Sequence, residues 1–119
     1  MAWTTTRVDS YYIGNPGTGH PRLVTISDCV YGGTGYGGGQ LSTGATGATG
    51  PTKSDLGFAT SDSTLTVTAF EKPKATGAGY YGRKVGYDHT NEQLLVGCTA
   101  GTDISDVTYR VTAIGVFGP

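Results

Sequence analysis

The apolar positions of this chain recur mostly at every second residue, and hardly anywhere at the three- and four-residue spacing of a helix. The stretch "STLTVTAF", Ser63 to Phe70, is the clearest case: Leu65, Val67 and Ala69 alternate with threonines, as in a half-buried strand. "RLVTISDCV", Arg22 to Val30, places Val24 and Ile26 on one face. "VTYRVTAIGV", Val107 to Val116, alternates Val107, Tyr109, Val111 and Ala113 with polar residues until Ile114 and Val116 break the phase. "GYYGRKVGYD" and "EQLLVGC" are separated by the turn residues "HTN" and read as a hairpin. Trp3 to Asp9 is a polar, β-branched run suited to pairing at an edge or between subunits. About six strands at short spacing predict an all-β sandwich or barrel. Helical patterning is confined to "PTKSDLGFATSD", which predicts a short helix, and to a turn at "TDISD" that Thr102 or Asp103 could cap.

One stretch stands outside this pattern. "GGTGYGGGQLSTGATGATGP", residues 32–51, holds nine of the 21 glycines and only two sizeable apolar side chains, Tyr36 and Leu41. Fixing its backbone costs on the order of 20–40 kcal/mol. Burying the two side chains returns about 2–3 kcal/mol each. The loop cannot order itself, so it is either mobile or held by something outside its own fold. Loops longer than about 12–15 residues are usually functional or disordered. Its "TGATGATGP" repeat lacks the prolines of a collagen helix and reads as a flexible connector.

Composition narrows the class. A chain of 12.2 kDa can bury one core, so a single domain over residues 1–119 is expected, with a strand or arm over 1–20 and the glycine-rich loop inserted between strands. Charged residues are 14% of the chain, against a typical quarter, while threonine occurs 20 times. Such a composition favours strands joined by tight turns. A net charge of −1 leaves no electrostatic footprint for nucleic acid, and its weak self-repulsion suits a protein that assembles with others. No apolar run approaches the ~20 residues that cross a bilayer, so no membrane partner is expected. "MAWTTTRVDSYY" lacks the basic region and apolar core of a signal peptide, so the chain is expected to remain in a cytoplasm unless an assembly carries it out. In that compartment Cys29 and Cys98 read as free, buried thiols.

Little points to catalysis. "GTGYGG", Gly33 to Gly38, matches GxGxxG, but no helix-forming sequence follows to meet a pyrophosphate, so glycine richness accounts for it. His20 and His89 have no second ligand at metal spacing and read as loop histidines. There is no GxSxG and no cysteine in a family signature. The pairs Asp103/Asp106 and Asp55/Asp62 fit capping and solvation better than acid–base work. No enzyme, cofactor or metal is expected. The tyrosines say more: Tyr11–Tyr12 and Tyr80–Tyr81 are adjacent pairs, so on a strand one member of each points away from the core. Tyr31 and Tyr36 flank or enter the glycine loop. Tyrosine is enriched at interfaces, although core packing for half of these and solvent for the rest is the plainer alternative. The candidate contact residues are Trp3, Tyr11, Tyr12, Tyr31, Tyr36, Leu41, Tyr80 and Tyr81.

Three segments taken together, "PRLVTISDCVYGG", "GYDHTNEQLLV" and "GTDISDVTYRVTAIG", resemble the small capsid cement (decoration) proteins of tailed bacteriophages. That group has a "Y-D-x-x-N-x-K-L" hairpin, matched here by Tyr87, Asp88, Asn91 and Leu94. It ends in "T-D-L-S-x-V-x-x-R-x-x-A-I-G", matched by Thr102, Asp103, Ser105, Val107, Arg110, Ala113, Ile114 and Gly115. The chain departs from the group in its longer glycine loop, in His20–Pro21, and in Gln93 where a basic residue is preferred. The resemblance implies a compact β-sandwich, similar to a jelly roll, seated on the exterior of an icosahedral head. Its partners would be the major capsid protein and further copies of itself, as a homotrimer or homodimer at a symmetry axis. On that reading the glycine loop and "WTTTRVDSYY" are ordered by lying across a neighbour, through main-chain contacts that glycine permits. The alternative is a carbohydrate- or receptor-binding β-sandwich of a tail or fibre, with tyrosines stacking on sugars.

Overall fold

Alternating β-branched and aromatic residues build six strands in the computed structural model, which describes residues 3–14, 22–32, 50–59, 64–72, 83–98 and 103–116. They are β1 (Trp3–Ile13), β2 (Arg22–Tyr31), β3 (Thr66–Glu71), β4 (Val85–Asp88), β5 (Gln93–Val96) and β6 (Tyr109–Val116). Four form an antiparallel sheet in the order β1-β2-β6-β3, and β4 and β5 pair as a hairpin. The all-β, sandwich-like class expected from the alternation is what forms. The expected helix over "PTKSDLGFATSD" does not form across its described residues, 51–59. Leu56 N–H donates to Thr52 O and Phe58 N–H to Lys53 O, but Gly57, at φ +96°, ends the coil after this one irregular turn. Leu56 and Phe58 are thereby turned into the core.

Register decides which residues meet there. Cys29 lies opposite Tyr109, and Ala113 lies opposite both Thr25 and Val67. The inner face of the sheet is therefore Leu23, Thr25, Ser27, Cys29 and Tyr31 of β2, Tyr109, Val111 and Ala113 of β6, and Val67 and Ala69 of β3. Val24 and Ile26, which the alternation places together, share the opposite face. Leu65, Val67 and Ala69 do face inward, as their spacing predicts. Against this face pack Leu56, Phe58, Leu94, Val96, Ile104 and Val107.

β1 outruns its predicted end at Asp9 because the ladder shifts at Val8: Arg7 pairs with Ser27, but Asp9 pairs with Ile26. One extra residue on β1 breaks the alternation without ending the strand.

The segment 50–58 ties the two layers together by polar contacts that have no local signature. On the sheet side, the buried Thr25 Oγ1 donates to Leu56 O at 2.8 Å, and Arg7 Nη2 donates to Asp55 O at 3.1 Å. On the hairpin side, Tyr87 Oη donates to Pro51 O at 2.7 Å, and Glu92 Oε1 accepts from Lys53 N–H at 2.8 Å.

Candidate interaction surface

The sheet's outer face is built from the alternate residues of the same strands. Its rows run across the strands: Ile13–Arg22–Val116, Tyr11–Val24–Ile114–Thr66, Asp9–Ile26–Thr112–Thr68 and Asp28–Arg110–Phe70. Val24 belongs to this face and not to the core cluster, although neighbouring groups leave it only 2% exposed. Among the described residues, the large apolar side chains most open to solvent are Val8, Tyr11, Tyr12, Ile13, Phe70 and Val116. Tyr11, Ile13, Phe70 and Val116 all stand on the outer face, so apolar side chains occupy both flanks of one sheet surface. At one corner Phe70 lies beside Arg110, whose Nε donates to Asp28 Oδ1 at 2.9 Å, while Lys72 Nζ reaches Asp28 Oδ2 at 3.2 Å. The hydrogen bond from Arg110 is the main cause holding the Asp28 carboxyl below its usual range.

The expected contact residues divide. Tyr11 and Tyr12 are both exposed, so neither member of that pair enters the core as strand alternation predicted. Tyr12, across from Leu23, shares the core-side parity, but it lies near the end of the strand where the packed layer does not reach it. Trp3 and Tyr31 are buried in this chain's own core. They lie opposite one another in the register, with ring centroids 5.3 Å apart, and Tyr109 packs edge-on to Trp3 at 5.7 Å. Tyr36, Leu41, Tyr80 and Tyr81, and nearly all of the glycine-rich loop, lie outside the described residues, as do His20 and Asp62. Ile13, Phe70 and Val116 were missed. The signals were present: Phe70 has the opposite parity to Leu65, Val67 and Ala69, and Val116 is one of the two residues that break the phase of the last strand.

Buried polar groups serve the fold. Glu71 Oε1 accepts from Tyr109 Oη at 3.2 Å and from Arg83 Nη1 at 3.3 Å. Burial pushes the Tyr109 phenol far up, with Glu71 adding to it. Burial likewise raises the Cys29 thiol to about 11, so it stays protonated at neutral pH. Neither Cys29, which is buried, nor Cys98, which is half-buried, is in a disulfide. Asp88 Oδ1 accepts from the N–H groups of Thr90 and Asn91, which folds the β4–β5 turn, and Tyr87 packs edge-on to His89. Asp103 Oδ1 accepts from Ser105 N–H at 2.9 Å and caps the turn before β6. Among the described residues, no group of three or more His, Cys, Asp and Glu side chains could hold a metal ion. Comparison with protein-family models, curated proteins and solved structures gives no match for this chain.

Proposed function

We propose that this chain is a structural virion protein, a cement protein that binds the outside of a phage head and ties neighbouring major capsid protein subunits together. The observation that carries the reading is the outer face of the four-stranded sheet. There Tyr11, Ile13, Phe70 and Val116 are exposed on a chain of which only 14% is charged. Apolar side chains left open across one face mark a surface meant for a partner. Many copies on one particle make weak single contacts sufficient. The resemblance set out above supports the choice of partner. Its motif residues have structural work here: Asp88 and Asn91 form the hairpin turn, and Asp103 and Ser105 form the turn into β6.

The test is co-sedimentation of the purified protein with phage heads that lack it. Binding is expected for the native chain and weakened by Phe70→Glu, which adds a charge at an exposed position and leaves the core alone. A protein that ignores heads but binds members of a glycan panel through Tyr11 and Tyr12 is instead a carbohydrate-binding module.

A further inference from the structure

Among the described strands, the four-stranded sheet ends on β1 at one side and on β3 at the other, and the two edges differ. β3 is six residues long and is followed in the chain by Lys72 and Pro73, a cation and a residue without an amide donor. Both are devices that keep a sheet edge from pairing. β1 is 11 residues long, and its part beyond the bulge at Val8 has Asp9 followed by four residues, Ser10–Ile13, with no charge and no proline. Their side chains stand open: Tyr11 is 46% exposed, Tyr12 57% and Ile13 41%.

We propose that this end of β1 pairs antiparallel with the same segment of a second copy, about a two-fold axis at Tyr12, joining two four-stranded sheets into one continuous sheet. The register follows from the side chains. In a continuous antiparallel sheet, residues directly opposite one another point to the same face. An axis at Tyr12 sets Tyr12 against itself on the core-side face, and Tyr11 against Ile13 of the second copy on the outer face. These are aromatic and aromatic–β-branched pairs, which stabilise sheets across strands. An axis at Tyr11 would oppose Ile13 to Asp9 and Tyr12 to Ser10, and an axis at Val8 would fall on the bulge. With the axis at Tyr12, Ser10 falls opposite Gly14 and Asp9 lies beyond that pair, so no like charges meet. The apolar row Tyr11–Val24–Ile114 then continues into the second copy's Ile13. A contact of this length is small beside the ~800 Å² per partner of a stable interface, so the dimer depends on concentration.

The cleanest test uses the full chain carrying Cys98→Ser and Tyr12→Cys, oxidised with copper phenanthroline. Across the axis the two cysteines would stand about 4.5–5.5 Å apart at Cα, within disulfide span. A cross-linked product of twice the 12.2 kDa chain is expected from this variant and not from Thr6→Cys on the same strand before the bulge. Sedimentation equilibrium should give a dimer for the native chain, with Tyr12→Lys raising its dissociation constant by about tenfold or more while circular dichroism stays unchanged. A monomer at millimolar concentration, a trimer, or equal cross-linking at Thr6→Cys overturns the proposal. Phe70 lies on the opposite edge strand, so Phe70→Glu and Tyr12→Lys report separately on capsid binding and on self-pairing.

Discussion

The guanidinium of Arg7 lies directly over Gly57: a Cβ added to that glycine would stand 3.0 Å from Arg7 Nη2 and 3.1 Å from Nη1. Arg7 is held there from both sides, its Nε donating to Ser27 Oγ at 3.1 Å and its Nη2 to Asp55 O at 3.1 Å. Gly57 also has a φ of +96°, outside the range that side-chain-bearing residues adopt readily. Gly57→Ala is therefore expected to destabilise the fold by about 1–3 kcal/mol. Urea denaturation of Gly57→Ala in the native and Arg7→Ala backgrounds separates the two causes. If the backbone dominates, the loss is the same in both; if the contact dominates, it shrinks when Arg7 is gone.

Thr25 Oγ1 donates to Leu56 O within the core, where both residues have no exposed surface. Thr25→Val keeps the shape and removes the donor, leaving a buried carbonyl unpaired at a cost of about 1–3 kcal/mol. Thr25→Ser keeps the donor and should cost less. A Thr25→Val protein as stable as the native one would mean that the 50–58 segment is held by packing alone.

These two ties show where the sequence is readable and where it is not. Alternation is a local property, so Leu65–Val67–Ala69 and the "HTN" hairpin can be read directly. The same alternation fails through β1, because the extra residue at Val8 moves Asp9–Ile13 out of phase with Trp3–Arg7. A helix over residues 51–62 looks reasonable from the sequence, yet Gly57 and the burial of Leu56 and Phe58 turn its described part, residues 51–59, into filling between two layers. Trp3 and Tyr31 look alike to Tyr11 in composition. Only the register, which sets Trp3 against Tyr31 and beside Tyr109, puts them in the core while Tyr11 stays outside. Contacts such as Thr25 to Leu56 span 31 residues and have no local signature.

Glu92 is a non-glycine residue at φ +53°, in the left-handed position that closes the β4–β5 turn. Glycine there would relieve about 1–2 kcal/mol of backbone strain. It would also remove the carboxylate that accepts Lys53 N–H at 2.8 Å, a charge-assisted bond worth about 1.5–3 kcal/mol, and loosen the unfolded chain further. The hydrogen bond wins, so Glu92→Gly is expected to be less stable than the native protein by about 1 kcal/mol, with Glu92→Gln between them. Thermal melts of the three proteins check the order, and a Glu92→Gly protein that melts highest would show that strain outweighs the tie between hairpin and 50–58 segment.

Acid should act through three carboxylates that the fold holds below the ordinary aspartate value of 3.8. Asp28 is lowered chiefly by the Arg110 hydrogen bond, Asp88 by the backbone N–H of Asn91, and Asp103 by the Ser105 hydroxyl. A group whose folded pKa lies below its unfolded one stabilises the fold fully above the unfolded value, and that stabilisation is lost as pH falls through the folded value. Stability is therefore expected to hold from neutrality down to about pH 4 and to decline below it as these groups take up protons. Asp28 has the most to lose, since Arg110 and Lys72 both face it on a half-buried sheet surface and its protonation leaves both cations without their counter-charge. In Asp28→Asn that loss is already present at pH 7, so the stability gap between the variant and the native protein should close as pH drops below 3.8. Parallel pH curves for the two proteins would remove Asp28 from the account and leave acid sensitivity to the two turn aspartates.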